Sequence, residues 1–143
     1  MKVSERMTEK PVTVDTSATA KEVARIMKEE NIGTVLVTEG DRLKGIATDR
    51  QIATKVVAVG KDPEKTRVSE FMTEDPVTAS PDMIICEAAE IMGENGFRRI
   101  PVVENQKVVG ILSAADVAIH ARTCNACMEN LFSEVEKAIT EKV

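Results

Sequence analysis

Aromatic residues are nearly absent from the 143-residue chain, which has no Trp, no Tyr and three Phe (Phe71, Phe97 and Phe132). That leaves little to stack on nucleic-acid bases, and a formal net charge of −5 argues against a broad electrostatic footprint for DNA or RNA. There is a single His, His120. Acid–base catalysis would therefore rest on carboxylates, and no two of them form an evident pair. The sequence also lacks a nucleophile–base pair, a metal-ligand cluster and a glycine-rich phosphate loop. No apolar run approaches the ~20 residues of a membrane-spanning helix, and the opening MKVSERMTEK is too charged for a signal peptide. Three cysteines, an odd number, in a chain long enough for its own core suggest free thiols in a reducing compartment. These absences point to a soluble cytoplasmic protein that is not an enzyme, needs no cofactor, and contacts neither membrane nor nucleic acid.

What is present is internal repetition. Shifted by 65 positions, the segment from Val3 to Gln51 lies over Val68 to Asp116 with 18 identities in 49 gapless positions, where chance gives roughly 3. Among them are Met7/Met72, Thr8/Thr73, Pro11/Pro76, Glu22/Glu87, Met27/Met92, Gly45/Gly110 and Ile46/Ile111. The two halves share one plan.

Pro11-Val12-Thr13-Val14 reads as a short extended piece, because proline biases its predecessor away from the right-handed helix. Thr19-x-x-Glu22 is a capping box. A 3.6-residue apolar period through Val23, Ile26 and Met27 then predicts a helix ending near residues 31–33. Residues 34–37 read as a buried strand, Gly40-Asp41 as a hairpin turn, residues 43–47 as the return strand, and a helix opens at Thr48. The second half predicts an extended piece at residues 77–79, a helix directly after Ser80-Pro81, strands over 100–103 and 108–112 about an Asn105-Gln106 turn, and a helix from Ser113. Each unit is thus β-α-β-β-α, about 60 residues, and too small to bury its sheet and helices alone. The expected fold is α+β, two such repeats packed together: residues 1–58, a polar turn-rich linker at 59–65, residues 66–122, and a helical extension at 123–143.

Several segments carry a resemblance. Met7-Thr8-x-x-Pro11-Val12-Thr13 and its copy at Met72, the strand Phe97-Arg98-Arg99-Ile100-Pro101-Val102-Val103, and the closing Gly45-Ile46-Ala47-Thr48-Asp49-Arg50-Gln51 and Gly110-Ile111-Leu112-Ser113-Ala114-Ala115-Asp116 together resemble the CBS-domain family, as a tandem pair or Bateman module. The resemblance runs from residue 3 to about 120. It implies a two-motif disc with quasi-twofold symmetry, clefts between the motifs that take AMP, ATP or other adenosyl compounds, a homodimer of discs, and regulation of an unnamed partner protein by occupancy.

Ser113-x-x-Asp116 is itself a capping box, and capping alone accounts for it. The same geometry suits a nucleotide, since helix-start amides favour phosphate and a carboxylate can accept from both hydroxyls of a ribose. In the repeated context ribose binding at Asp116 is the preferred reading. Arg98 and Arg99 begin a strand, where alternation sends neighbours to opposite faces; a salt bridge to Glu94 and a phosphate contact are both open. The favoured second cleft comprises Thr66, Val68, Phe97, Arg98, Arg99, Ile100, Pro101, Ser113 and Asp116; Thr66 and Val68 match base-contacting positions of the family and otherwise read as edge-strand residues. Thr48 and Arg50 are candidate phosphate contacts from the opposite motif. In the first repeat Gln51 replaces the acid, which weakens a diol grip by ~1 kcal/mol or more, and Gly33-Thr34 replaces the arginine pair. A first cleft from Val3, Thr34, Val35 and Gln51 is therefore expected to be weaker, empty or differently specific.

Val117, Ala121, Cys124, Met128, Leu131, Val135 and Ala138 are spaced 4, 3, 4, 3, 4, 3. This heptad-like stripe fits a dimer contact, the preferred reading, or a tail folded over its own sheet. Cys124-x-x-Cys127 is a weak metal candidate, since structural zinc takes four ligands; Cys124 on the stripe reads first as a small hydrophobe, and Cys86 as core. The alternative function is a scaffold with vestigial clefts whose tail, with or without cysteine-bound metal, recruits a partner.

Overall fold

The computed structural model describes residues 1–121 together with Glu129, Asn130, Phe132, Ser133, Glu136 and Lys137. In chain order the elements are β1 (Thr8–Glu9), β2 (Thr13–Asp15), α1 (Ala20–Glu30), β3 (Thr34–Glu39), β4 (Arg42–Thr48), α2 (Asp49–Ile52), β5 (Thr73–Glu74), α3 (Ile85–Asn95), β6 (Arg99–Glu104), β7 (Lys107–Ser113) and α4 (Ala114–Ala121). A 3₁₀ turn at Val3–Glu5 precedes β1, its copy at Val68–Glu70 precedes β5, and a π-helical turn at Ala53–Val57 follows α2. The fold is α+β with four α-helices and mixed strand pairing.

Local chemistry accounts for most element boundaries. Thr19 caps α1 as expected: its hydroxyl accepts from Glu22 N at 3.2 Å, and Glu22 accepts from Thr19 N at 3.0 Å. Helix α1 ends on Asn31 and α3 on Gly96, equivalent residues that both adopt the left-handed conformation. Each hairpin carries a register shift at the same place, between Val37 and Thr38 in one and Val102 and Val103 in the other. The β6–β7 turn has positive φ at both Asn105 (52°) and Gln106 (67°), the pattern that matches strand twist in a two-residue loop.

Helix α3 does not begin after Ser80-Pro81. Ser80 to Met83 forms a turn, with Met83 N donating to Ser80 O and Asp82 N to Ser80 Oγ, and the helix starts at Ile85. Proline is well placed early in such a turn, and the serine hydroxyl stabilises it. The first repeat makes the same turn, Ala18 N donating to Asp15 O. The extended piece at 77–79 is reduced to one bridge, Ala79 pairing in parallel with Val102.

The chain divides into two units that cut across the sequence repeats: one of Pro11–Pro76, the other of Met1–Lys10 with residue 77 onward. In the first, β2 runs parallel to β3, β3 antiparallel to β4, and β4 antiparallel to β5. In the second, β1 pairs antiparallel with β7, and β7 with β6. The entry strand of each repeat therefore pairs with the closing strand of the other. The two crossings follow left-handed residues, Lys10 (φ 51°) and Asp75 (φ 45°), each directly before a proline.

Both entry pairings need a glycine. A Cβ on Gly110 would stand 2.5 Å from Met7 Sδ and 2.9 Å from Thr8 O, and one on Gly45 would stand 2.5 Å from Met72 Sδ and 2.8 Å from Thr73 O. That contact accounts for Met-Thr and Gly-Ile recurring in both halves. Each unit has its own core. Val3 joins Ile85, Ile100, Leu112 and Val117 in one; Val68 joins Val14, Val23, Val35 and Ala47 in the other.

Cys86 packs at the edge of the first of these cores and is bonded in a disulfide, so the expectation of three free thiols does not hold. Cys124 and Cys127 lie outside the described residues, as do Met128, Leu131, Val135 and Ala138 of the stripe. Val117 is buried in the core. The described tail residues fold back on α3: the Asn130 backbone passes so close to Gly93 that a Cβ there would meet Asn130 O at 2.7 Å, Ser133 Oγ donates to Gly93 O, and Lys137 Nζ to Glu94 O.

Candidate functional site

In the unit that holds the second repeat, strand β7 runs into α4 at Ser113. Antiparallel register sets Arg99 directly opposite Ser113, and the carbonyl of Arg98 accepts from Ala114 N at 2.8 Å. Ser113 N and Oγ both donate to Asp116 Oδ2, at 2.8 and 2.9 Å, while Asp116 N donates back to Ser113 Oγ at 3.2 Å. The capping box is thus formed, and it uses only one carboxylate oxygen. Asp116 Oδ1 takes no part in the capping box. Ser113 and Asp116 are half-buried, and Arg98 and Arg99 are exposed. A carboxylate oxygen outside the capping box and the backbone of the Arg98–Arg99 segment thus meet at one strand end. That oxygen can accept from a hydroxyl.

The equivalent junction in the first repeat, where β4 runs into α2, is built differently. Thr48 lies opposite Thr34. Gln51 Oε1 accepts from Thr48 N at 2.9 Å, Gln51 N donates to Thr48 Oγ1 at 3.2 Å, and Gln51 Nε2 donates to Thr73 Oγ1 at 2.9 Å. Both ends of the glutamine amide are occupied, so it has far less to offer a diol than Asp116. Asp49, which stands where the second repeat has Ala114, takes the remaining amide: Arg50 N donates to Asp49 Oδ1 at 2.8 Å, and Asp49 N to Gly33 O at 3.0 Å. The Asp49 carboxylate fits because residue 33 is glycine, whose Cβ would lie 3.0 Å from Asp49 Oδ2. The side chain of Arg50 is exposed in this unit.

Four of the expected contact residues place their side chains in the cores. Val3, Val68 and Ile100 are 0% exposed and Val35 is 1% exposed, and Pro101 is buried beside Ile100. Neither the side chains nor the backbone of these residues offers a ligand appreciable surface in this structure. Thr66 is buried, with its hydroxyl donating to Asp62 O and its carbonyl accepting from Ala20 N. Phe97 packs against the core that contains Val3. By unit, Val3 falls with Phe97–Pro101, Ser113 and Asp116, whereas Thr66 and Val68 fall with Thr34, Val35, Thr48 and Gln51. Asp49 and Gly33 are the residues that sequence reasoning passed over as a pair. Their signal lay in the 65-residue shift, which sets Gly33 against Arg98 and Asp49 against Ala114.

Among the described residues no cluster of three or more His, Cys, Asp or Glu is placed to hold a metal ion, and no helix is long and apolar enough to cross a membrane.

Comparison with known proteins bears on this geometry. The CBS domain family model matches residues 3–58 and again 68–121. The CBS domain-containing protein YhcV of Bacillus subtilis is 37% identical over 118 residues, 82% of this chain and 84% of the relative. Relatives from Arabidopsis thaliana are longer proteins, of which the match covers 20–22%. Among solved structures, Hypoxic Response Protein I with two coordinated zinc ions is 30% identical with a TM-score of 0.77, over 84% of this chain and 98% of that one. The CBS domain pair of protein MJ0100, in complex with 5′-methylthioadenosine and S-adenosyl-L-methionine, is 27% identical with a TM-score of 0.74, over 84% and 98%. With two matches spanning most of its length, in register with the internal repeat and with the two junctions, this chain belongs to the CBS-domain family as a tandem pair of CBS domains.

Proposed function

We propose that the chain is a regulatory module without catalytic activity that binds an adenine nucleotide, or a related adenosyl compound, at the start of α4. The observation that carries this reading is the half-spent capping box. Asp116 satisfies Ser113 with one oxygen and leaves the other able to accept from ribose hydroxyls. Arg98 and Arg99 supply positive charge for a phosphate. The adenosyl compounds held by MJ0100 support the ligand class. Occupancy in this reading alters a partner protein or the geometry of a homodimer of this chain.

Calorimetry with AMP, ADP, ATP and S-adenosylmethionine on wild type and Asp116→Asn tests the assignment. The asparagine keeps one acceptor for Ser113 but offers N–H donors where the ribose hydroxyls must donate. We expect at least a tenfold loss of affinity, ~1.4 kcal/mol, with the melting temperature little changed. The reading fails if wild type binds none of the four below about 1 mM, or if the variant binds as well as wild type.

A further inference from the structure

Helices α1 and α3 are equivalent under the 65-residue shift, yet their outer faces differ along one stripe. Ala20, Val23 and Met27 are the buried residues of α1. Their copies Ile85, Ala88 and Met92 are buried in α3, and Ala89 and Gly93 are buried with them. Ala89 matches Ala24, the same residue type, which is exposed in α1. Gly93 matches the exposed Lys28, and the half-buried Cys86 matches Lys21, whose side chain is 65% exposed. Residues 86, 89 and 93 are three and four apart, so they share a helix face. Over the end of that face lies the tail: the Asn130 backbone against Gly93, Ser133 Oγ on Gly93 O, and Lys137 Nζ on Glu94 O.

We infer that this stripe is a docking strip for the C-terminal tail of the same chain, fastened at Cys86 by a disulfide and released by reduction. The strip is made by removing bulk. A lysine at residue 93, as at Lys28, would fill the space through which Asn130 passes, since a Cβ alone would meet Asn130 O at 2.7 Å. Cys86 is disulfide-bonded. The chain has three cysteines, so the partner within it is Cys124 or Cys127, six and three residues before Asn130. The bridge therefore fastens the tail just ahead of the residues that lie on Gly93 and Glu94. Two hydrogen bonds to carbonyls near the end of α3 do little against the conformational freedom of a chain end. The bridge instead keeps the segment at high effective concentration beside its strip. A dithiol reductant opens it through a mixed disulfide. The bond at Cys86 Sγ breaks, the two cysteine sulfurs gain two electrons and two protons, and the reductant closes its own S–S bond. The tail then depends on its contacts at Gly93 and Glu94, and the strip opens. No residue of this strip belongs to the proposed nucleotide site, so the two readings stand or fall separately.

Non-reducing peptide mapping and hydrogen exchange on the full chain test the latch. Prepared without reductant, the monomer should yield a peptide joining Cys86 to Cys124 or Cys127, with one thiol left to alkylate after unfolding. Dithiothreitol should speed exchange of the amides at residues 129–137 at least tenfold and leave β3 and β4 unchanged. Cys86→Ser should show the same fast tail exchange without reductant. Gly93→Lys, which copies the first repeat, should displace the covering segment and let the bridge be reduced at least tenfold faster, because access governs that reaction. Three free thiols in protein prepared without reductant, or a Cys86 bridge between two copies, overturns the inference. So does tail exchange that reduction leaves unchanged, or acceleration spread equally over β3 and β4. If Gly93→Lys does not melt cooperatively, the wild-type comparison with and without reductant decides.

Discussion

Thr19 and Ile84 occupy the same place in the two repeats, the residue before the first helix of each, and only the threonine caps its helix. Ile84 has the extended backbone that a cap requires (φ −72°, ψ 141°), is half exposed, and lies three residues before Glu87. Ile84→Thr completes a Thr-x-x-Glu capping box. It should raise stability by about 1 kcal/mol, read as a higher denaturant midpoint at unchanged m-value. An unchanged or lower midpoint would mean that the isoleucine packs more usefully than its exposure suggests. Legibility also varied residue by residue at the candidate site. The Ser113–Asp116 bond pattern follows from residue types three positions apart, so it could be read from the sequence. The capture of Arg50's amide by Asp49 could not, because it depends on the space left by Gly33, sixteen residues earlier, in the bend before β3.

The hairpins show how far an element can be read in isolation. Both were expected where they occur, and the Asn105-Gln106 turn was expected as a two-residue loop. Its left-handed glutamine costs conformational energy that glycine avoids, of order 1–2 kcal/mol per residue, and Asn-Gly is the favoured pair for such a turn. Gln106→Gly should therefore raise the melting temperature by about 2–4 °C, allowing for the added freedom of glycine in the unfolded chain. A fall would indicate that the Gln106 side chain contributes to β6–β7. The helix expected after Pro81 began four residues later because Ser-Pro-Asp is as good a turn as it is a helix start. Sequence pattern alone does not choose between these, and the equivalent turn at Asp15 to Ala18 shows which one the unit uses.

At the scale of the whole molecule, the spatial units exchange their first ten residues relative to the repeats. Val3, from the first repeat, is fully buried among second-repeat residues. Val3→Ala removes two methyl groups from that core, a loss of about 2 kcal/mol. Hydrogen exchange should consequently report lost protection in α3, β6 and β7 before β3 and β4. The opposite order, with the β3–β4 hairpin weakened first, would contradict the exchange. Repeat number, helix and strand order, caps and turns were all determined by the sequence, because each is encoded by residues within a few positions of one another. Which closing strand each entry strand pairs with, and whether a carboxylate finds room at a helix start as Asp49 does, only the tertiary structure decided. Those outcomes depend on contacts between residues from sixteen to a hundred positions apart, whose geometry no local periodicity specifies.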